Sequence, residues 1–376
     1  MLNEKEIKKY SRHLLLNEIG GQGQLKLKEG KVLVIGAGGL GCPVLQYLVA
    51  AGVGTIGIID FDIIEESNLQ RQVLYNEEDI GKPKANVAAE KLHKQNSLIN
   101  IISYNEKLSV ENVEALFNQF EIIVDCTDNF STRYLINDAC VLFGKPMIYG
   151  SIHKFQGQVS VFNFKTANKK GPTYRCVFPV PPDNGTVPSC SEIGVLGVLP
   201  GIIGMMQATE VIKMITGIGE VLSGKLLFFD ALIMQSSIIE IERNPDVENV
   251  TPATIEELKK QDYNFDCEIN DMINEITVEQ LQLYFENEDN IQIIDVRDEN
   301  ELPFVDELSG LKIPLFDIEN NLEKISRDKK VILYCKSGIR SAAAIQILKN
   351  EFQFNNLYNL KGGVDEWMRT PKKVSS

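Results

Sequence analysis

The chain lacks the features that would send it to a membrane, a nucleic acid or an oxidising compartment. Its longest apolar tract, Gly194 to Ala208, is interrupted by Pro200 and falls short of the ~20 residues that span a bilayer. No N-terminal run combines a charged start, an apolar middle and a small-residue cleavage site, so no secretory leader is expected. Positive charge is scarce: 38 lysines and arginines face 52 aspartates and glutamates, a formal net charge of −14, and a nucleic-acid scaffold needs the opposite excess. The cysteines, Cys42, Cys126, Cys140, Cys176, Cys190, Cys267 and Cys335, are odd in number and widely spaced, which argues against a disulfide framework. Internal repeats and low-complexity segments are also missing. A soluble cytoplasmic protein is expected, with neither membrane nor nucleic acid as partner, and each cysteine has to be read alone.

What is present begins with Lys31 to Asp62, KVLVIGAGGLGCPVLQYLVAAGVGTIGIIDFD. Lys31 to Gly36 reads as a buried parallel strand and Leu40 to Ala51 as the helix that follows it. Gly36, Gly38, Gly39 and Gly41 punctuate the turn between them. Glycines there permit a tight turn and close approach of phosphate oxygens, while the N–H groups of the new helix point at that charge. A second strand, Thr55 to Asp60, ends in an acid about 20 residues beyond the turn, where a ribose hydroxyl would lie. This order of parts predicts a nucleotide site; a glycine-rich turn in an ordinary α/β sheet is the competing reading. Dinucleotide and ATP are not yet distinguished.

With 376 residues, 44% of them hydrophobic, the chain is long enough for two domains. The first thirty residues are expected to form helix packed on the first domain. Beyond Asp62 the α/β alternation continues with helices at about 84–95, 110–119 and 130–143 and strands at 100–104, 121–126, 146–150 and 158–164, the last of these read as antiparallel. The polar stretch from Thr166 to Ser191 has no periodicity and exceeds an ordinary connection, which marks functional or disordered loops. A buried helix at 195–216 and strands at 226–231 and 237–243 close a first domain of residues 1–245. An acidic linker, 246–274, leads to a second α/β domain, 275–376, with a helix at 277–285 capped by Thr277, strands at 291–296 and 331–334 and a helix at 341–349.

Charged residues discriminate between the nucleotides. Arg71 and Lys84 follow the ribose acid, and a triphosphate has use for such cations where a dinucleotide does not. Lys84 opens a helix against the dipole preference, which favours a ligand over a merely solvated lysine. Asp125 and Asp128, in DCTDN, stand where a strand ends, the place at which a carboxylate can hold Mg²⁺ against phosphates. One of the two is expected to cap the next helix, and Asp128 is preferred for the metal.

Together GAGGLG at 36–41, Asp60-Phe61-Asp62, SNLQRQ at 67–72, GKPK at 81–84 and DCTDN at 125–129 resemble the sulfur-carrier-protein adenylyltransferases, relatives of ubiquitin-activating enzymes that act in molybdopterin and thiamine biosynthesis. The resemblance spans residues 1–245. It implies a Rossmann-like adenylation domain with a mostly parallel sheet, and reaction of ATP at its α-phosphate with the C-terminal glycine carboxylate of a small β-grasp carrier ending in Gly-Gly. It further implies that Gly36, Gly38, Gly39 and Gly41 line the nucleotide, with Gly39 beneath it. Asp60 would bind ribose, Asp62 and Asn68 would lie beside it, Arg71 and Lys84 would bind phosphates, and Asp128 would position Mg²⁺. Arg12, in YSRHLLL, matches an arginine that such dimers donate to the partner's site, so a homodimer is implied. Cys190, in VPSCSE, matches the cysteine that relatives link covalently to the activated carrier. The family's structural zinc is not expected here, because Thr173 and the segment 246–250 replace three of its four cysteines and leave Cys176 alone.

In the second domain, VILYCKSGIRSAAAIQIL at 331–348 puts Cys335 at a strand end and a helix shortly after. Loop N–H groups, the helix N-terminus and Arg340 are all expected to favour a thiolate or persulfide at Cys335. A phosphatase loop of related design carries one more residue between its cysteine and arginine, so the shorter loop suits a single sulfur atom. With Asp295-Val296-Arg297 before it and KGGVDEW at 361–367 after it, this stretch resembles a rhodanese domain, a smaller α/β sulfurtransferase fold. The fusion implies that the carrier is adenylated and then receives sulfur as a thiocarboxylate, the donor being a cysteine desulfurase or thiosulfate. The rival readings are an NAD-dependent oxidoreductase and a non-catalytic docking scaffold for ubiquitin-like proteins.

Overall fold

The computed structural model describes residues 1–165, 170–181, 194–263, 273–287, 290–299 and 301–370. They fall into two compact units, one holding the described residues up to Tyr263 and the other those from 273 onward. No helix among the described residues is long and apolar enough to cross a membrane.

The first unit is built on an eight-stranded sheet in the order β3-β2-β1-β4-β5-β6-β7-β8. Strands β1 (Lys31–Ile35), β2 (Thr55–Ile59), β3 (Asn100–Tyr104), β4 (Ile122–Asp125) and β5 (Met147–His153) are parallel neighbours. Strands β1, β2 and β4 read as apolar runs rich in Val and Ile because both faces of the sheet are covered there. Strands β6 (Gln156–Phe162), β7 (Lys225–Asp230) and β8 (Gln235–Glu240) then run antiparallel, so the sheet is mostly but not wholly parallel. Between β1 and β4 the strand order reverses direction, and such a switch point opens a crevice beyond the strand ends.

Helix Leu199–Thr216, apolar for most of its length, packs beneath the sheet and against helix Gly41–Ala51. Helix Gly20–Glu29 fastens to its far end, where Lys26 Nζ donates to the Thr216 carbonyl at 2.9 Å, and helix Glu4–Lys9 is tied to it by Lys28 and Glu6, with helix Ser11–Leu14 between them in the chain. The segment expected as a linker contains two short helices, Pro245–Asn249 and Ile255–Lys260, and Tyr263 closes onto the first unit by donating its hydroxyl to Asp138 at 2.7 Å. Apolar Val247, Leu258 and Tyr263 are buried and anchor this otherwise polar stretch.

The second unit carries a five-stranded parallel sheet, ordered β11-β10-β12-β13-β9. Strands β10 (Ile291–Asp295) and β12 (Lys330–Tyr334) occupy its apolar centre. Strands β9 (Asn274–Ile276), β11 (Leu311–Lys312) and β13 (Leu357–Leu360) escaped the sequence pattern because they are short and partly polar. Thr277 caps helix Val278–Glu286 in a reciprocal box with Gln280.

Candidate functional site

At the switch point the glycine turn is forced by its neighbours. Gly36 has φ +95°, and a Cβ there would stand 2.7 Å from the Cys126 carbonyl oxygen at the end of β4. At Gly41 a Cβ would lie 2.0 Å from the Gly36 carbonyl oxygen, so the helix can start this close to the strand only with glycine. Gly39 lies against Pro200 and the stem of Arg71, and Gly38 faces the Gln72 amide.

The charged candidates gather around this turn. Asp60 accepts the Ala37 N–H through Oδ2 at 2.7 Å and the Asp62 N–H through Oδ1 at 2.8 Å, tying the end of β2 to the turn. Burial pushes its carboxyl above the ordinary aspartate value, against the pull of the Ala37 N–H and the Lys84 charge. Lys84, first residue of helix Lys84–Gln95, is 7% exposed and pairs with the half-exposed Asp62 at 2.8 Å. Tyr75 donates its hydroxyl to the Ala37 carbonyl at 2.8 Å, close also to the Lys84 carbonyl at 3.3 Å, and so joins turn and lysine. Asn68 folds inward to accept the Glu65 N–H, while Arg71 Nη1 donates to the Ser67 carbonyl at 2.9 Å.

The two acids of DCTDN separate cleanly, and one expectation is corrected. Neither caps helix Phe130–Leu142; that role belongs to Asn129, whose side chain accepts the Thr132 N–H at 2.8 Å. Asp125 is fully buried and closed off by Thr127 and by Arg133 Nε at 2.9 Å, so it is available neither as a cap nor to a metal. Arg133 Nη2 also binds the Thr127 carbonyl at 2.7 Å, and Gln207 Nε2 binds the Asp125 carbonyl at 2.8 Å. Together they hold rigid the loop that presents Asp128, which is exposed.

Sequence reasoning missed Arg133, Gln207 and Gln72. Gln72 is 4% exposed, yet its Oε1 finds no hydrogen-bond partner among the described residues, an orphaned acceptor beside Gly38. No spacing rule points to Arg133 or Gln207, because their partners come from other elements, nor to Gln72, whose acceptor is orphaned.

Arg12 is exposed on helix Ser11–Leu14 and stands away from this turn. Its neighbour Tyr10 packs on Gly52 and accepts from Asn96 at 2.9 Å, at the C-terminal end of helix Gly41–Ala51. That helix is 11 residues long, which puts about 16 Å between its two ends. Cys190 lies outside the described residues. Burial drives the Cys42 thiol up to about 12 and raises those of Cys126 and Cys140 as well, so these three are inert packing residues.

Where the resemblance would place a zinc, Thr173 stands beside Cys176, and among the described residues no group of three or more metal-ligating side chains occurs. The Cys176 sulfur accepts the Thr173 N–H at 3.3 Å and the Asn244 N–H at 3.4 Å, with Thr173 Oγ1 also at 3.4 Å.

In the second unit Cys335 is buried at the end of β12 and accepts the Gly338 N–H at 3.1 Å, with the Ser341 hydroxyl at 3.5 Å. Helix Gly363–Arg369 locks the loop from outside: the N–H groups of Val364 and Asp365 bind the carbonyls of Cys335 and Lys336, each at 2.9 Å. Gly363 is required there, since a Cβ would lie 2.3 Å from the Cys335 carbonyl oxygen. Arg297, paired with Asp295 at 2.8 Å, lies over the Tyr334 ring and braces the floor of the loop. The Arg340 guanidinium forms two bonds with Glu301, at 2.7 and 2.6 Å.

Comparison with known proteins agrees with both geometries. The ThiF family model matches residues 10–249, and the rhodanese-like domain model matches residues 277–370. The chain belongs to the ThiF family. It is similar to the probable adenylyltransferase/sulfurtransferase MoeZ of Mycobacterium tuberculosis, with 42% identity over 98% of this chain and 94% of that protein. The sulfur carrier protein adenylyltransferase of Thermus thermophilus is 49% identical over 64% of this chain and 90% of its own length. A third relative, adenylyltransferase and sulfurtransferase MOCS3 of Xenopus laevis, is 38% identical over 97% of this chain and 87% of that protein. Among solved structures, Escherichia coli MccB with ATP superposes with a TM-score of 0.54 at 26% identity, covering 65% of this chain and 73% of that one.

Proposed function

We propose that this ThiF-family protein adenylates the C-terminal glycine of a small β-grasp sulfur carrier at the turn 36–41 and delivers sulfur to it from Cys335. The observation that carries the reading is Lys84, a buried cation at a helix N-terminus beside the glycine turn, a feature that suits a triphosphate and has no role at a nicotinamide site. Residues 1–245 would perform the first reaction and residues 275–376 the second.

In the first step a carboxylate oxygen of the carrier attacks the α-phosphorus of ATP, the bond to pyrophosphate breaks, and pyrophosphate leaves with the electron pair. Lys84 and Arg71 offset the charge that builds on the leaving group. The Gln72 acceptor and Asp60 are placed to take hydroxyl or amide donors of the substrates, with Asn68 beside them. Asp128 is the ligand for Mg²⁺, which when bound neutralises phosphate charge. Arg12 is exposed, and its neighbour Tyr10 packs at the end of helix Gly41–Ala51 opposite the turn, which accords with donation to the neighbouring subunit of a homodimer. In the second step a persulfide on Cys335 attacks the acyl carbon and AMP leaves. A thiol then reduces the resulting acyl disulfide, releasing thiocarboxylate; Cys190, by the same resemblance, would be the cysteine that links covalently to the activated carrier. The donor that loads Cys335 is a cysteine desulfurase or thiosulfate.

Incubating the protein with ATP, Mg²⁺, a Gly-Gly-ending carrier, a sulfur donor and a thiol should convert the carrier to thiocarboxylate, read by mass spectrometry as replacement of one oxygen by sulfur. Formation of AMP without sulfur incorporation would confine the activity to adenylation. Retained carrier mass with no pyrophosphate exchange would favour a docking scaffold.

The Cys176 arrangement leads to a separate expectation. Purified protein should contain well under one zinc per chain, and a chelator should leave its Tm unchanged, because backbone donors already hold the lone sulfur. Stoichiometric zinc lost together with stability would overturn this.

A further inference from the structure

The cationic part of the Cys335 loop is neutralised from within its own unit. Arg340 Nη1 donates to Glu301 Oε2 at 2.7 Å and Nη2 to Glu301 Oε1 at 2.6 Å, a parallel fork-to-carboxylate pair. The two side chains are 7% and 16% exposed, so solvent screens them little and the pair presents almost no net charge to the sulfur. Beyond the partial positive charge at the start of helix Ile339–Asn350, the neighbouring charged side chains are of mixed sign. Lys336 follows Cys335, but the helix that binds the loop carbonyls carries Asp365 and Glu366 in its first turn, and Lys361 is 3.5 Å from Glu275. What meets the sulfur is dipolar: the Gly338 N–H and the Ser341 hydroxyl.

We infer that Glu301, acting through Arg340, selects the sulfur donor, disfavouring thiosulfate and favouring the persulfide of a thiol. The inference rests on the reading of Cys335 as the sulfur acceptor. In both cases the Cys335 thiolate attacks the outer sulfur of the donor and a new S–S bond forms. From thiosulfate the old S–S bond breaks and sulfite departs with the electron pair; from a persulfide, RSSH, the thiolate RS⁻ departs instead. Neither exchange needs an outside oxidant or reductant. They differ in charge, because thiosulfate brings two negative charges to a loop whose Arg340 is already paired with Glu301 and whose bracing helix carries Asp365 and Glu366, whereas the persulfide group brings one at most. Glu301 is therefore a positioning and charge-setting residue, not a catalytic one.

The test uses the full chain as wild type, Glu301→Gln, and Glu301→Gln combined with Arg340→Gln. The glutamine is isosteric and still accepts from the guanidinium, so the loop geometry is retained while the charge is removed. Sulfite release from thiosulfate and loading of Cys335 by cysteine persulfide, followed by mass spectrometry, supply kcat and KM for each donor. Wild type should have the higher kcat/KM with the persulfide. In Glu301→Gln the KM for thiosulfate should fall roughly tenfold, as expected when one unit charge several ångströms away is removed at intermediate dielectric, with a much smaller change in kcat. The double variant should lose that gain. An unchanged thiosulfate KM in Glu301→Gln, or parallel loss with both donors, overturns the inference and makes the pair merely structural. If neither donor loads wild-type Cys335, the sulfurtransferase reading itself fails and takes the inference with it.

Discussion

Cys335→Ser is expected to abolish sulfur transfer to the carrier while ATP–pyrophosphate exchange continues at the wild-type rate. Serine fits the position, since its hydroxyl can accept the Gly338 N–H that now reaches the sulfur at 3.1 Å, and the brace from helix Gly363–Arg369 acts on backbone rather than on the side chain. What serine cannot do is carry a persulfide, so the loss is of the nucleophile and should reach about a thousandfold or more. Pyrophosphate exchange reports only on the glycine turn and its charged residues, all of them in the other unit. The measurement is mass spectrometry of the carrier alongside exchange of labelled pyrophosphate. Full thiocarboxylate from Cys335→Ser without added sulfide would mean that the second unit is not the donor. Loss of both activities would point instead to a folding defect.

The parts legible in the sequence are those written in adjacent residues. Strands β1, β2 and β4 stand out because burial on both faces makes each an unbroken apolar run, and the glycine turn because its spacing is local. Thr277 and its reciprocal box with Gln280 likewise lie within one helical turn. The selection among Asp125, Asp128 and Asn129 was not legible, since all three are good caps and only the buried Arg133 decides which acid is withdrawn. Gln207 reaches the same strand end from a helix far along the chain, and Glu301 sits in an acidic run that reads as a solvated face until its pairing with Arg340 is seen. Tertiary partners, not local pattern, set the charge that each site presents. The same holds for 245–263, whose polar composition conceals three buried apolar anchors.

Asp128→Ala is expected to reduce ATP–pyrophosphate exchange to background with the fold intact. The loop that carries Asp128 is held by others: Arg133 bonds the Thr127 carbonyl and Asp125, and Gln207 bonds the Asp125 carbonyl, so removing an exposed carboxylate disturbs no packing. Removing Arg133 would be a different experiment, because it leaves the buried Asp125 charge uncompensated at a cost of about 3–5 kcal/mol of stability. The Asp128 variant should therefore keep the wild-type Tm and fail only where Mg²⁺ and phosphate meet. A further arm tests the assignment of Arg12. If Arg12 serves the neighbouring subunit, Arg12→Ala is also inactive, but in a mixed dimer one site carries both lesions and the other carries none. Co-refolding equal amounts of the two variants should then recover about a quarter of wild-type exchange, since half of randomly assorted dimers are mixed and each has one intact site. Wild-type exchange in Asp128→Ala would remove that residue from the site. Two inactive variants that stay inactive when mixed would return Arg12 to its own subunit and sink the shared-site dimer.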